Sequence, residues 1–153
     1  MQPVERGQLW VMRIHALVAG AILIVGAAVA DQVLHLRLAV PSGLLLAPVL
    51  LLLVYPVLIA PQRRYRALGY ALDQDELRIA RGLIVRTETL VPLGRVQHID
   101  VSQGPLERLF GVSRLMLHTA GTLNSLVVLP GLARPTAESI RDEIRARIRS
   151  GPW

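Results

Sequence analysis

Residues 11–30 read VMRIHALVAGAILIVGAAVA, and residues 38–60 read LAVPSGLLLAPVLLLLVYPVLIA. Arg13 and His15 are the only polar residues of the first run, and both lie near its N-terminal edge, where a long side chain reaches the headgroups. The second run carries no charge. A helix rising about 1.5 Å per residue needs about 20 residues to cross a bilayer core of about 30 Å. Each run therefore predicts a membrane-spanning helix.

The two spans are predicted to form a transmembrane hairpin, which together with the N-terminal segment makes up residues 1–60. A cleaved signal peptide is the alternative for the first run and a buried core helix for the second, but two runs of this length rarely suit a soluble domain. The predicted linker, residues 31–37, is short and formally neutral. Small residues predict close helix packing, within the hairpin or between copies, at Ala16, Gly20 and Ala27. Kinks are expected at Pro41, Pro48 and Pro56.

Arginine flanks the outer ends of the hairpin, whereas the linker has no excess of positive charge. By the positive-inside rule we expect both termini, and the whole segment after the second span, to face the cytoplasm. Aromatic and basic residues near the ends of a span sit at the level of the headgroups. The predicted membrane-interface residues are Trp10, Arg13, Tyr55, Arg63, Arg64 and Arg66.

The composition excludes several classes of function. The 153 residues are 52% hydrophobic but only 4% aromatic, and the mean hydropathy is +0.45. Because the sequence has neither cysteine nor lysine, it excludes a disulfide scaffold, a Cys-ligated zinc site, an iron-sulfur cluster, a thiol enzyme and a lysine Schiff base. The net charge is +6, of which +5 belongs to residues 61–153.

Residues 61–153 alternate between apolar and polar positions, with turn residues between the runs, which is typical of β-structure. A short amphipathic helix with Leu106, Leu109 and Phe110 on its apolar face is expected before Gly111, closing one end of a barrel. A final helix, residues 135–150, should pack its Ile-rich face on the sheet, with Ile144 in the core. The strands are predicted at residues 66–72, 77–81, 85–91, 95–103, 113–119 and 125–129. In the fourth strand Gln97, Ile99 and Val101 are expected on one face. The fold class is thus an α+β membrane protein.

Several short runs resemble one family: residues 91–99 (VPLGRVQHI), 102–106 (SQGPL), 109–111 (LFG) and 118–121 (HTAG). They are similar to the bacterial PH-like (pleckstrin-homology-like) proteins of the YdbS-like, membrane-flanked type. The resemblance implies a two-helix hairpin followed by one PH-like domain, in which two roughly orthogonal antiparallel sheets form a barrel or sandwich capped by the C-terminal helix. It implies a bacterial plasma (inner) membrane location and no catalytic residues. The family-motif residues are Pro92, Arg95, Gln97, His98, Gln103, Gly104, Pro105, Leu109, Phe110, Gly111, Thr119 and Gly121.

The residues with the chemistry for a catalytic or metal site do not form a recognised pattern. His98, Asp100, Glu107 and His118 lack a known metal-ligand spacing, and no serine stands in a nucleophile motif, so we expect no metal, cofactor or catalysis. Nucleic acid is not expected as a partner, because nine acidic residues offset the arginines of residues 61–153 and aromatic residues are scarce. Specific phosphoinositide binding is not expected either, because the first turn of the domain, residues 73–76, reads DQDE.

These observations favour a non-enzymatic integral membrane protein whose cytoplasmic PH-like domain is a protein-interaction or assembly module. Its expected partners are the lipid bilayer and a protein, which would bind by strand addition or as a second copy of the chain. The alternative is a membrane-anchored sensor that binds a lipid or small ligand, linked to envelope stress or to resistance against antimicrobial compounds. An accessory role in catalysis or transport is a third interpretation.

Overall fold

The computed structural model describes residues 1–38, 40–120 and 126–150 of the chain. The chain divides into two compact units, Met12–Arg63 on one side and Met1–Val11 with Arg64–Trp153 on the other. The first unit consists of apolar helices, and the second contains two antiparallel sheets and a C-terminal helix. The α+β fold class predicted from the sequence is confirmed.

Two long apolar helices carry the predicted spans. Helix α1 covers Gly7–Leu38, and the second apolar helix, Leu46–Ala67, consists of α2 (Leu46–Val54), a π-helical turn and α3 (Ala60–Ala67). Both are long and apolar enough to cross a membrane, and most of their side chains are not buried by the protein itself. A helix that is apolar all round and unburied needs lipid around it, as the sequence predicts.

The linker lies later in the chain than predicted, which corrects the expectation for residues 31–37. These residues are helical, and α1 ends only at Leu38. The carboxylate of Asp31 accepts hydrogen bonds from the backbone N–H groups of Gly43 (2.7 Å) and Leu45 (2.9 Å). Both amides lie just before α2, where backbone N–H groups have no helical partner. Asp31 is therefore not part of the linker itself, and its side chain stabilises the segment that joins α1 to α2. Ala39, within the predicted second span, lies outside the described residues.

A glycine, a proline and an arginine shape the apolar helices of the hairpin. A Cβ added to Gly20 would lie 2.9 Å from Cγ2 of Val57, so this glycine permits a close approach within the hairpin. Pro56 lies in the π-helical turn Tyr55–Ile59, as expected for a proline that removes a backbone donor. The guanidinium of Arg13 donates to Oε1 of Gln62 over 3.0 Å.

Seven strands form two antiparallel sheets in the described residues. The first sheet has the order β1-β2-β3-β4, and the second has the order β5-β6-β7. Observed and predicted strand bounds differ by at most four residues at either end, and Ser125, at the start of the sixth predicted strand, lies outside the described residues. The strands are β1 (Gln2–Pro3), β2 (Gly69–Leu72), β3 (Glu76–Gly82), β4 (Arg86–Pro92), β5 (Val96–Ser102), β6 (Val112–Thr119) and β7 (Leu126–Ala133).

The N-terminal residues pack with the sheets, although the sequence assigns them to the hairpin segment, residues 1–60. Strand β1 pairs with β2, and Val4 is buried. The Glu5 backbone N–H donates to the carbonyl of Gly131 over 2.8 Å. Gly131 lies in a bulge of β7 with φ +80°, where a Cβ would meet the side chain of Gln8 at 2.8 Å. A glycine at this bulge therefore lets the N-terminal segment approach the sheet.

Helix α5, Arg134–Ser150, packs its apolar face on β5, β6 and β7, in line with the predicted packing on the sheet. Ala137 and Ile144 are fully buried and Ile140 nearly so, which confirms Ile144 as a core residue. The fully buried side chains of the sheets and of α5 make one hydrophobic core. Its largest members include Leu77, Ile79, Leu115, Leu117, Leu129 and Ile144.

Candidate functional site

The candidate site is a groove between strand β5 and helix α5. It has a volume of about 430 Å³ and opens to solvent. Strand β5 is the edge of its three-stranded sheet, so one row of its backbone groups has no neighbouring strand. The residues that line this β5–α5 groove are Val96, Gln97, His98, Ile99, Asp142, Arg145, Ile148 and Arg149.

A bulge in β5 points two family-motif side chains outward. The pairing of β5 with β6 shifts between Val96 and His98, which leaves Gln97 as the extra residue. Val96 and Ile99 are buried, whereas Gln97 and His98 are both exposed. The expectation that Gln97 and Ile99 share one face is therefore wrong, because a bulge breaks the two-residue alternation of a strand.

Helix α5 lines the other wall of the β5–α5 groove with two exposed cations. Arg145 and Arg149 are four residues apart and so lie on one face of the helix. In the part of the chain that the structure describes, neither forms an ion pair. The hydrogen bond from Arg141 to Asp142 (2.8 Å) lowers the pKa of Asp142, and Arg145 lowers it further. Among the described residues, the groove thus combines two arginines that form no ion pair with one carboxylate that is paired with Arg141.

His98, Asp100 and His118 lie together on the outer face of β5 and β6. Nε2 of His98 is 2.9 Å from Oδ1 of Asp100, and Nε2 of His118 is 3.4 Å from Oδ2 of the same residue. All three side chains are largely exposed to solvent. Among residues 1–38, 40–120 and 126–150, no three His, Asp or Glu side chains are arranged to hold a metal ion. A carboxylate between two imidazoles orients both rings. Of these three residues, His98 lines the β5–α5 groove.

The family-motif residues from Gln103 to Gly111 form the turn that connects β5 to β6. Glu107 is buried in the short helix α4, Pro105–Leu109, where its carboxylate accepts from the Gly104 N–H (2.6 Å) and from Nε of Arg114 (2.8 Å). The expectation of an apolar plug is wrong in part, because Leu109 is 74% exposed and Phe110 is only half-buried. The buried glutamate instead holds the turn, since a buried carboxylate needs hydrogen-bond donors.

The remaining predicted site residues occupy separate places. Gln103 donates from Nε2 to the Val112 carbonyl over 2.8 Å, and Gly111 ends α4 with φ +66°. Pro92, Arg95 and Thr119 lie at the ends of β4, of the following 3₁₀ turn and of β6. Gly121 lies outside the described residues. The predicted membrane-interface residues Trp10, Arg63, Arg64 and Arg66 are exposed, Tyr55 and Arg13 less so.

Sequence reasoning did not select the α5 side of the groove. In the sequence, Arg145 and Arg149 are explained by the negative end of the dipole of the predicted final helix, and Ile148 by its Ile-rich face. The i, i+4 spacing of the two arginines was the available signal, because it puts both on one helix face. Which strand that face would meet depends on how the helix packs.

The fold and motifs have counterparts among known proteins. A family model described as bacterial PH domain matches residues 14–148. The chain belongs to the bacterial PH domain family. The transmembrane protein YdbS of Bacillus subtilis (strain 168) is 37% identical over 103 residues, which cover 67% of this chain and 63% of YdbS. The transmembrane protein YdbT of the same organism is 28% identical over 82 residues, which cover 53% of this chain and 17% of YdbT. No solved structure matches.

Membership of the bacterial PH domain family confirms the resemblance and connects it to a membrane. YdbS and YdbT are both named transmembrane proteins, and this chain has two helices able to cross a bilayer. The chain spans less than two thirds of the length of either relative. The protein is a membrane protein with a bacterial PH domain, and the names of its relatives assign no chemistry to that domain.

Proposed function

We propose that this protein is a membrane-anchored interaction module without catalytic activity. Its PH domain docks an extended, acidic segment of a partner protein in the β5–α5 groove. The observation that carries this proposal is the position of the open β5 edge beside Arg145 and Arg149. Strand addition to an open edge supplies main-chain hydrogen bonds, and side-chain pockets beside the edge supply specificity.

Strands β1, β4 and β7 are the other edges of the two sheets, and each contains a proline, unlike β5. Strand β4 is the competing edge used for comparison, and its sequence is less suited to strand addition. It carries the charged residues Arg86 and Glu88 and ends at Pro92, which has no backbone N–H to donate. Charges and proline are the usual means by which natural sheets protect an edge. Strand β5 lacks proline and has a groove of about 430 Å³ beside it, within the size range of ligand sites.

The charge of the groove favours an acidic partner. Arg145 and Arg149 are exposed and form no ion pair in the described part of the chain, whereas Asp142 is compensated by Arg141. Carboxylates of an added strand would pair with these arginines, and the buried Val96 and Ile99 form the floor. Charge complementarity mainly raises the association rate and rejects basic competitors.

The docking proposal includes an orientation: the protein crosses the bacterial membrane twice, with both termini and the PH domain in the cytoplasm. The arginines that flank the two apolar helices support it through the positive-inside rule. A cysteine placed at Ser150 should be protected from a membrane-impermeant thiol reagent in intact cells, and one at Ser42 should react. The chain has no native cysteine to interfere. Labelling at position 150 from outside would contradict this topology.

A photocrosslinking amino acid at Gln97 tests the docking proposal in living cells with the full chain. We expect a protein adduct at Gln97 that is lost in the double variant Arg145→Gln/Arg149→Gln. Thr87, exposed on the competing edge strand β4, is the matched control position and should give no adduct. Arg134→Gln, on the same helix but outside the groove, should leave the adduct intact. Equal adducts at positions 87 and 97 would contradict the choice of edge.

The sensor interpretation is the second candidate, and a different cleft favours it. That cleft, of about 340 Å³, is lined by the apolar side chains of Met1, Leu68, Leu83 and Ile84 and by Arg66, which lies in the last turn of the second apolar helix. A lipid or amphipathic compound would find apolar walls and a cation there. Mild-detergent purification followed by mass spectrometry separates the two candidates, because a retained lipid favours the sensor and a stoichiometric protein favours the docking module.

A further inference from the structure

The turn between β3 and β4 carries large apolar side chains that no described residue of the domain covers. Gly82 pairs with Arg86 at its base, which leaves Leu83, Ile84 and Val85 as the β3–β4 tip. Ile84 is 89% exposed and Val85 is 74% exposed. Ile84 is the most exposed large apolar residue of the described chain, above every residue of the two apolar helices. Two such neighbours at the end of a turn form a protruding patch of the kind that marks an interaction site.

The β3–β4 tip is a preformed protrusion. Gly82 has φ +153°, and a Cβ at this position would lie 2.2 Å from the carbonyl oxygen of Val85. Only glycine fits this tight reversal, so the backbone of the turn is fixed by the paired strands on either side. Ile84 and Val85 are thereby held at the end of the hairpin, away from the core.

Cations surround the base of the β3–β4 tip. Arg81 and Arg86 flank it in the two strands and are both exposed, and Arg66 lines the same cleft as Ile84 and Arg86. None of the three arginines forms an ion pair in the described residues. The nearest carboxylate along the hairpin is that of Glu88, which is on β4 opposite Ala80. Apolar side chains with a collar of basic residues are typical of segments that lie in the interface of an anionic membrane.

The chain itself tethers this surface to a bilayer. Arg66 follows Ile59, the last residue of the π-helical turn, by only seven residues. Helical residues rise about 1.5 Å each, so about 10 Å of helix separates Arg66 from the apolar run. Arg66 and Ile84 line one cleft, so a residue that follows the apolar run by only a few positions lies beside the tip.

We propose that the β3–β4 tip is a second membrane contact of the PH domain. Ile84 and Val85 insert into the headgroup region of the adjacent leaflet, and Arg66, Arg81 and Arg86 bind the phosphates of anionic lipids there. The apolar helices already anchor the chain far more strongly than such a contact can. The contact therefore fixes which face of the domain points away from the membrane.

Spin labelling of the full chain tests this contact, because the sequence has no native cysteine. Ile84→Cys carries the probe, and Leu90→Cys, on an exposed leucine of β4, is the matched control. Both are placed in lipid nanodiscs of phosphatidylcholine and phosphatidylglycerol. Oxygen concentrates in lipid and a nickel chelate in water, so we expect the oxygen-to-nickel collision ratio to be at least about threefold higher at position 84. Equal ratios overturn the proposal, and so does a label at position 84 shielded from both reagents, which would show contact with protein.

The role of the arginines has its own test in the Ile84→Cys background. We expect the collision ratio to fall by about half in discs of phosphatidylcholine alone and in the variant Arg81→Gln/Arg86→Gln. Arg95→Gln, an exposed arginine outside the cleft, should leave it unchanged. A ratio that is insensitive to lipid charge and to the double variant overturns the assignment of these arginines to anionic headgroups.

Discussion

The two turns at the ends of strand β3 have opposite chemistry. Residues 73–75, the acidic turn, join β2 to β3 and contain Asp73 and Asp75. The β3–β4 tip at the other end of the strand is apolar, with Arg81 and Arg86 at its base. A strand of seven residues therefore separates an acidic surface from an apolar surface flanked by arginines. Charge is therefore distributed unevenly along β3, with acidic residues at one end and arginines at the other, which the net charge of the domain does not show.

The acidic turn is also compensated within the domain, whereas the tip is not. Arg78 lies 3.0 Å from a carboxylate oxygen of Asp73 and 2.6 Å from one of Glu76, and Arg147 donates to the Asp73 carbonyl. Arg81 and Arg86 have no such partner among the described residues. The expectation that the first turn of the domain does not bind phosphoinositides stays a prediction, and it is supported by the engagement of Arg78 and Arg147 with groups of the turn itself, where they do not present free cations to a headgroup.

Truncating the buried Leu77 at the start of β3 should destabilise the strand that carries both turns. Leu77 is fully buried and follows the acidic turn, so Leu77→Ala leaves a cavity in the core. We expect a loss of about 2–5 kcal/mol in the free energy of unfolding. Leu90→Ala, at an exposed leucine of the neighbouring strand, should cost less than about 0.5 kcal/mol. Urea unfolding of the full chain in detergent micelles measures both, and equal losses would mean that the core is misassigned.

A glycine substitution should distinguish the two turns from each other. Gly82→Ala places a Cβ against the Val85 carbonyl at a positive φ, so we expect a loss of about 1–3 kcal/mol. Gln74→Ala, in the exposed acidic turn, should change stability by less than about 0.5 kcal/mol. The same unfolding titration compares them. A Gly82→Ala protein as stable as the Gln74→Ala protein would show that the tip adopts another backbone.

The ion pairs of the acidic turn should have only a small effect on stability. Arg78 and Asp73 are about half exposed, so Arg78→Gln should cost at most about 1 kcal/mol. Salt screens exposed charges, and the difference from the native protein should shrink as the salt concentration rises from about 0.05 to 0.5 M. Unfolding titrations at the two salt concentrations test this. A large, salt-independent loss would mean that Arg78 has a packing role instead.

The smallest effect is expected at alkaline pH, from Tyr70 on the strand that enters the acidic turn. Burial raises the pKa of Tyr70, and the Glu5 carboxylate adds to the shift. The folded state therefore favours the neutral phenol, a stabilisation that is complete below the unfolded pKa of about 10 and is lost as pH rises through the folded value. Tyr70→Phe should reduce the loss of stability above about pH 10. Tyr55→Phe is the control, and identical alkaline profiles for all three proteins would contradict this linkage.

Much of the architecture follows from local patterns. The two apolar runs predict α1 and the second apolar helix, the alternation after residue 66 predicts the strands, and the Ile144 stripe predicts how α5 packs. The candidate site could not be predicted in the same way. A bulge at Gln97 interrupts the alternation of inward and outward side chains in β5. Arg145 lines the groove only because α5 packs beside β5. Both depend on pairings between residues far apart in sequence.

By itself the sequence determines which segments need lipid, which need a sheet and where positive charge lies, because burial and periodicity act on neighbouring residues. Only the tertiary structure decides how polar groups are satisfied. Asp31, in the predicted linker, caps the start of the next helix, and Glu107, a weak candidate as a metal ligand, is a buried carboxylate that holds a corner. It also decides that Ile84 stays uncovered while Leu77 is buried on the same hairpin. A hydrogen-bond donor or a covering side chain comes from a distant segment, so no local pattern can supply it.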